Sequence, residues 1–221
     1  MNRLVCLLLL VTASLAGCGE PKSVLIKRPE NPNVDVAVTA MWTHEITDVA
    51  RDGDWILTRS YYAVSDAIAK IAPGEDLSHA SIYDAKHGTV IESIGTGVRE
   101  IPLENLVKRN HYMIVVRPSN MTAAEQTESV ARARTKLGLP FDYAGGIGFD
   151  NPDKWYCSEL VWWASQTEAR SGVHETVITP SNLMEYGEVI YWSGKRDEPQ
   201  VMELAVERAP RKAPAKVTAS R

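Results

Sequence analysis

The chain has no apolar run of the roughly 20 residues that a membrane-crossing helix needs; the longest, Leu4 to Val11, is well short of it. It also lacks a strong charge of either sign. With a net charge of −4 and no Arg/Lys-rich stripe interleaved with aromatics in its body, it offers a polyanion little to hold, so nucleic-acid binding is set aside. Cysteine is scarce, at Cys6, Cys18 and Cys157, and the His residues are scattered without ligand spacing, so neither a metal centre nor a cofactor is expected. Internal repeats are absent. At 221 residues with 44% hydrophobic and 24% charged content, what remains is one soluble-type domain with short tails.

The N-terminus reads as a targeting segment over residues 1–17, since Arg3 precedes the apolar run and small residues follow it. Its end, Leu15-Ala16-Gly17-Cys18, resembles the lipobox of bacterial lipoproteins, where the Cys is acylated and becomes the first mature residue. That resemblance implies a lipid anchor at Cys18 and a membrane-bound, exported protein. Gly19 in place of Asp points to the outer membrane, facing the periplasm, if the host is Gram-negative. With Cys6 lost and Cys18 lipidated, Cys157 is the one free thiol of the mature chain, and no disulfide can form. An exported protein that keeps an unpaired thiol exposes it to oxidation, which favours a chemical use.

Residues 18–34, with Pro21, Pro29 and Pro32, have the composition of a mobile linker. The domain is expected over 35–204 and a basic, Ala/Pro-rich disordered tail over 205–221. Within the domain the spacing of Val38, Met41, Trp42, Ile46 and Val49 predicts a helix over 35–50, and Ser60 to Ile71 a second one. Asp54–Leu57, His79–Tyr83, Thr89–Ile94, Val98–Ile101 and Tyr112–Arg117 read as strands, with a helical turn over Leu103–Arg109. Thr122 with Glu125 forms a capping box for a helix running to Leu137, and a last helix begins near Trp155. The fold class is α+β, a small antiparallel sheet packed with helices.

Cys157 falls in the first turn of that last helix, where unpaired N–H groups and the macrodipole favour a thiolate. Glu159, two residues on, would tend to raise the thiol pKa, so a cationic partner is required. His79 is the best candidate. It starts a strand, and in a hairpin turning at Lys86-His87, Glu92 lies across from Ser81 and diagonal to His79, where it can orient the imidazole; a one-residue slip would move it to the other face. Each residue also has a plain reading. Cys157 with Leu160, Val161 and Ala164 makes a stripe that fits core, His79 suits a loop-supporting role, and Glu92 a solvated strand position. His44, His87, His111 and His174 show no carboxylate so well placed.

Taken together, Gly53-Asp54-Trp55-Ile56-Leu57, Ser78-His79-Ala80-Ser81-Ile82-Tyr83, Val90-Ile91-Glu92-Ser93, Phe141-Asp142-Tyr143 and Trp155-Tyr156-Cys157-Ser158-Glu159-Leu160-Val161 resemble, in that order, the permuted NlpC/P60 papain-like family of the YiiX/YebB kind. The resemblance spans about Gly53 to Trp192. It implies a circularly permuted papain-like fold in which His and carboxylate precede the Cys, and assigns the catalytic roles to Cys157, His79 and Glu92. Ala80 stands where Val is commoner and Ser93 where Ala is commoner; both suit a strand. The implied activity is acyl transfer through a thioester on cell-wall peptides or related small amides. A lipid-directed acyl hydrolase or acyltransferase and a non-enzymatic envelope scaffold remain the alternatives, and the oligomeric state is left open.

Overall fold

The computed structural model describes residues 21–71 and 74–209. The leader over 1–17, Cys18 and the tail beyond 209 lie outside these described residues. Helix α1 (Pro32–Val49) starts earlier than the spacing suggested, because Asn31 caps it by accepting from the Asn33 N–H at 3.0 Å and Pro32 fits the first helical position. Val38, Met41, Trp42 and Ile46 recur at three- and four-residue intervals and are buried on one face.

Strands β1 (Trp55–Ser60), β2 (His79–Asp84), β3 (Thr89–Ile94), β4 (Gly97–Pro102), β5 (Asn110–Pro118) and β6 (Gly187–Trp192) form one antiparallel sheet in the order β4-β3-β2-β1-β5-β6. β1 runs beyond the expected Leu57 through Thr58, Arg59 and Ser60, all buried. It lies at the centre of the sheet with both faces covered, so its polar half belongs to the strand although alternation alone stops short of it. This in turn delays helix α2 (Ala63–Ile71), which was expected to begin at Ser60.

The sheet is the middle of three layers. Ile56, Tyr83, Val90, Met113 and Val115 pack with α1, α3 (Leu103–Lys108) and Ala205 of α7 (Pro199–Arg208). From the other face Trp55, Leu57, Ala80, Ile82, Ile91 and Ile114 meet α4 (Ala123–Arg134) and α5 (Cys157–Ala164). A fully buried aliphatic or aromatic side chain contributes about 1.5–3 kcal/mol, so the two clusters account for most of the driving force. α4 carries the expected capping box: Thr122 Oγ1 accepts the Glu125 N–H and Glu125 Oε2 accepts the Thr122 N–H. Its close approach to the sheet needs Gly53, whose φ is +77° and where a Cβ would lie 2.6 Å from the Gln126 carbonyl oxygen.

Two boundaries differ from the sequence reading. Residues 21–28, expected within a mobile linker, are bound to the domain: Ser23 N–H donates to the Tyr61 carbonyl at 2.8 Å, Ser23 Oγ–H and Val24 N–H donate to Asp66 at 2.6 and 3.0 Å, and Ala63 N–H donates to the Pro21 carbonyl at 2.8 Å. At the other end α7 continues through Arg208, so residues 205–208, assigned to the tail, are helical. A short helix, α6 (Thr167–Ser171), and strand β6 were also not anticipated. None of the helices among the described residues is long and apolar enough to cross a membrane.

Candidate active site

Cys157 opens α5 and is buried, with 8% of its surface exposed. The turn that carries it is tied down from several directions. Just ahead of it the Ser93 hydroxyl of β3 donates to the Trp155 carbonyl, and Trp155 N–H donates to Pro140 at 3.1 Å. On the following side Ser158 Oγ–H donates to the Ile178 carbonyl at 2.8 Å and Ile178 N–H to the Tyr156 hydroxyl at 3.0 Å. The far end of α5 is held by Trp55 Nε1–H donating to Ser165 Oγ at 2.8 Å. A side chain on a turn with so many fixed neighbours keeps one position.

The hairpin brings the expected base, His79, together with its expected partner. In the observed register Ser81 faces Glu92, which places Glu92 diagonal to His79, and His79 Nε2 and Glu92 Oε2 are 2.7 Å apart. With Nε2 engaged, Nδ1 is the ring nitrogen left for a thiol. The His79 side chain is 12% exposed and the Glu92 carboxylate is fully buried. Two further residues hold that carboxylate, and neither was found from sequence. Arg99, opposite Glu92 on β4, donates from Nε to Oε1 at 2.9 Å, and Arg109, just past α3, donates from Nη2 to Oε2. Pairing β4 in register would have disclosed Arg99; no local pattern marks Arg109.

The charges reinforce one another. Burial is the largest single influence on His79 and lowers its basicity, but the hydrogen bonds its protonated ring donates to Cys157 and Glu92, and their negative charge, outweigh it and raise the pKa to about 9. Burial pushes the Cys157 thiol up; the His79 hydrogen bond and charge, with the Ala80 backbone N–H, reverse this and hold it below its ordinary value. Glu92 too is pushed up by burial, and His79, Arg109 and Arg99 bring it down to about 2. The arrangement favours a thiolate–imidazolium pair backed by a carboxylate.

Glu159 does not act on the thiol as the sequence suggested. Burial raises its pKa to about 8, the Tyr156 N–H opposing this and Asp150 adding to it, so near neutral pH it is largely protonated and adds little negative charge beside Cys157. Instead it caps α5, accepting the Tyr156 N–H at 3.0 Å.

The other histidines also lie near carboxylates, His44 with Asp48 at 3.3 Å, His87 with Asp84 at 2.7 Å, His111 with Asp197 at 3.5 Å and His174 with Glu168 at 3.0 Å, but none of these carboxylates is as fully buried as Glu92. What distinguishes His79 is the thiol, since Cys157 acts on its ionisation as well as a carboxylate. Among the described residues two groups of side chains come close enough to share a cation, Asp84/His87/Glu100 and Asp142/Asp150/Glu159. Protein donors already serve both. Arg134 bridges Asp84 and Glu100, while Asp142 accepts N–H groups from Ala144, Gly145 and Asn151. A cleft lined by Trp55, Asn120, Arg170 and Tyr186 includes none of Cys157, His79 and Glu92 and lies toward the opposite end of β1.

Residues 49–203 match a family described as permuted papain-like amidase enzymes of the YaeF/YiiX kind, the C92 family. No curated protein matches the chain.

Proposed function

The chain belongs to the permuted papain-like amidases, and from that membership and the site's geometry we propose that it is a cysteine amidase of the cell envelope, with Cys157 as nucleophile, His79 as acid and base, and Glu92 as the group that orients and charges the imidazole. The observation that carries this reading is a buried His79 that joins a depressed thiol on one side to a fully buried carboxylate on the other. The same carboxylate is locked by two guanidinium groups, so its charge and position are fixed before substrate arrives.

The reaction follows from the parts. The Cys157 thiolate attacks the amide carbonyl carbon, and the carbonyl π electrons move to oxygen, with the Cys157 N–H at the start of α5 acting as one donor to it. The C–N bond then breaks as the His79 imidazolium gives its proton to the departing amine, leaving an acyl thioester. Water, deprotonated by the now neutral His79, attacks the thioester, and the thiolate leaves with the free acid formed. Glu92 holds the ring in one orientation throughout and stabilises its positive charge without itself taking the proton.

The cell-envelope setting rests on the Leu15-Ala16-Gly17-Cys18 sequence and acylation at Cys18, and makes cell-wall peptides or related small amides the first substrates to try. Purified mature protein and Cys157→Ala are offered muropeptides and phospholipids in parallel and followed by intact mass. An acyl adduct on Cys157 from the peptides, absent in the variant, supports the reading. An adduct from phospholipid alone transfers it to a lipid-directed acyl hydrolase or transferase. A thiol that iodoacetamide reaches only after denaturation leaves a non-enzymatic scaffold.

A further inference from the structure

We infer that the domain does not hang from a flexible tether but docks on the bilayer by the end of the sheet that carries the catalytic residues, through Val24, Leu25 and Val64. The inference rests on the reading of Cys18 as the acylated residue. If residues 18–34 formed a free spacer, the anchor could stand about 60 Å from the domain at the reach of an extended chain. The observed contacts remove that freedom. Pro21 and Ser23 are hydrogen-bonded to Ala63 and Tyr61, and the Lys22–Tyr62 bridge lies between them. Only three residue steps separate Cys18 from Pro21, so an acyl group on Cys18 keeps this edge of the domain within about 11 Å of the anchored residue.

The surface so presented suits a membrane. Val24 is 83% exposed, Leu25 55% and Val64 56%, each within one or two residues of the bonds that fix the segment to α2. Lys22 and Lys27 flank them and are exposed, in position to meet lipid phosphates. Of the carboxylates near this surface, Asp66 is spent internally on Arg59, Ser23 and Val24, and Asp35 on Arg28 and Arg196.

This end is also the catalytic one. Tyr61, which accepts from Ser23, donates its own N–H to the Arg109 carbonyl at 3.5 Å, and Arg109 holds Glu92. Arg28 lies over the Tyr61 ring at 4.9 Å and donates to the Lys108 carbonyl. His79 pairs with Thr58 in the second half of β1, the strand that leads into Tyr61. The mouth beside Cys157 therefore sits at headgroup level, within reach of amides or esters carried by membrane-embedded molecules.

The test uses full-length lipidated protein in a Cys157→Ala background, with one environment-sensitive fluorophore on Val24→Cys, Val64→Cys or Lys86→Cys, the last in the β2–β3 turn. Vesicles of phosphatidylethanolamine and phosphatidylglycerol carry doxyl-labelled lipid as quencher. Docking gives at least threefold quenching at positions 24 and 64 and little at 86. Vesicle-bound protein in which 24 and 64 are quenched no more than 86 overturns the docking and leaves the anchor standing. Protein that fails to bind vesicles and carries an unmodified Cys18 removes the anchor and the docking together. Neither outcome bears on the amidase reading, because the variant tested is catalytically silent by design.

Discussion

Replacing Glu92 by Gln tests the electrostatic centre of the site with almost no change of shape. The carboxylate is fully buried and serves three donors, from His79, Arg99 and Arg109. Glutamine offers one acceptor oxygen instead of two, and its NH₂ must face one of those donors. Removing one side of a buried ion pair typically costs about 3–5 kcal/mol. The hydrogen bond that the amide oxygen keeps recovers about 1 kcal/mol, so a loss of about 2–4 kcal/mol is expected. At about 2–4 °C per kcal/mol for a domain of this size, Tm should fall by roughly 4–16 °C. The effect on reactivity is separable. His79 stands at about 9 against 6.5 unperturbed, which corresponds to about 3 kcal/mol at roughly 1.4 kcal/mol per tenfold change. Cys157 and Glu92 supply this jointly against burial. If Glu92 supplies about half, its loss shifts the equilibrium between the neutral and the thiolate–imidazolium pair roughly 10-fold toward the neutral form. The assay is the pH dependence of iodoacetamide alkylation of Cys157 in the folded protein, beside a thermal melt. The variant's alkylation midpoint should move to higher pH. An unchanged profile together with a Tm shift under 2 °C would refute the idea that Glu92 charges the pair.

Cys157→Ala should abolish turnover while leaving Tm within a few degrees, because a small side chain at the start of α5 becomes a smaller one; His79→Ala should be nearly as damaging, since neither thiolate formation nor proton delivery is then assisted. Stability should vary with pH in a stated direction. The raised His79 pKa contributes stability that is complete below 6.5 and is lost as pH rises through about 9, whereas the depressed Glu92 pKa contributes stability present above 4.5 and lost as pH falls through about 2. These two groups therefore give a plateau between 4.5 and 6.5 with a decline on either side, read from melts across pH, and the acid decline should be smaller in Glu92→Gln. Truncation after Glu207 removes the Arg208–Glu45 pair, an exposed contact worth about 0–1 kcal/mol, but leaves Ala205 against α1. Tm should fall by less than about 4 °C; a larger fall would show that the tail packs.

The sequence by itself determined the hairpin, the capped helix α4 and the placement of Cys157 at a helix start, because each of these is specified locally: alternation for the strands, Thr122 with Glu125 for the cap, and an apolar stripe after Trp155. Even the Ser81–Glu92 register was legible, since a short turn fixes which residues of a hairpin face one another. Local signals could not say how far β1 extends. Thr58, Arg59 and Ser60 look like a strand's end until neighbours on both sides bury them. Nor could they show that residues 21–28 bind the domain, because Pro-rich composition reports stiffness and exposure, not the Asp66 and Tyr61 groups that come to meet it from elsewhere in the chain. The charge on the site was likewise a tertiary matter. Arg109 reaches Glu92 from 17 residues away, and Glu159 is neutralised by burial and by Asp150. A pKa depends on what the fold packs around a group and on which charges it gathers there, and spacing along the chain carries neither.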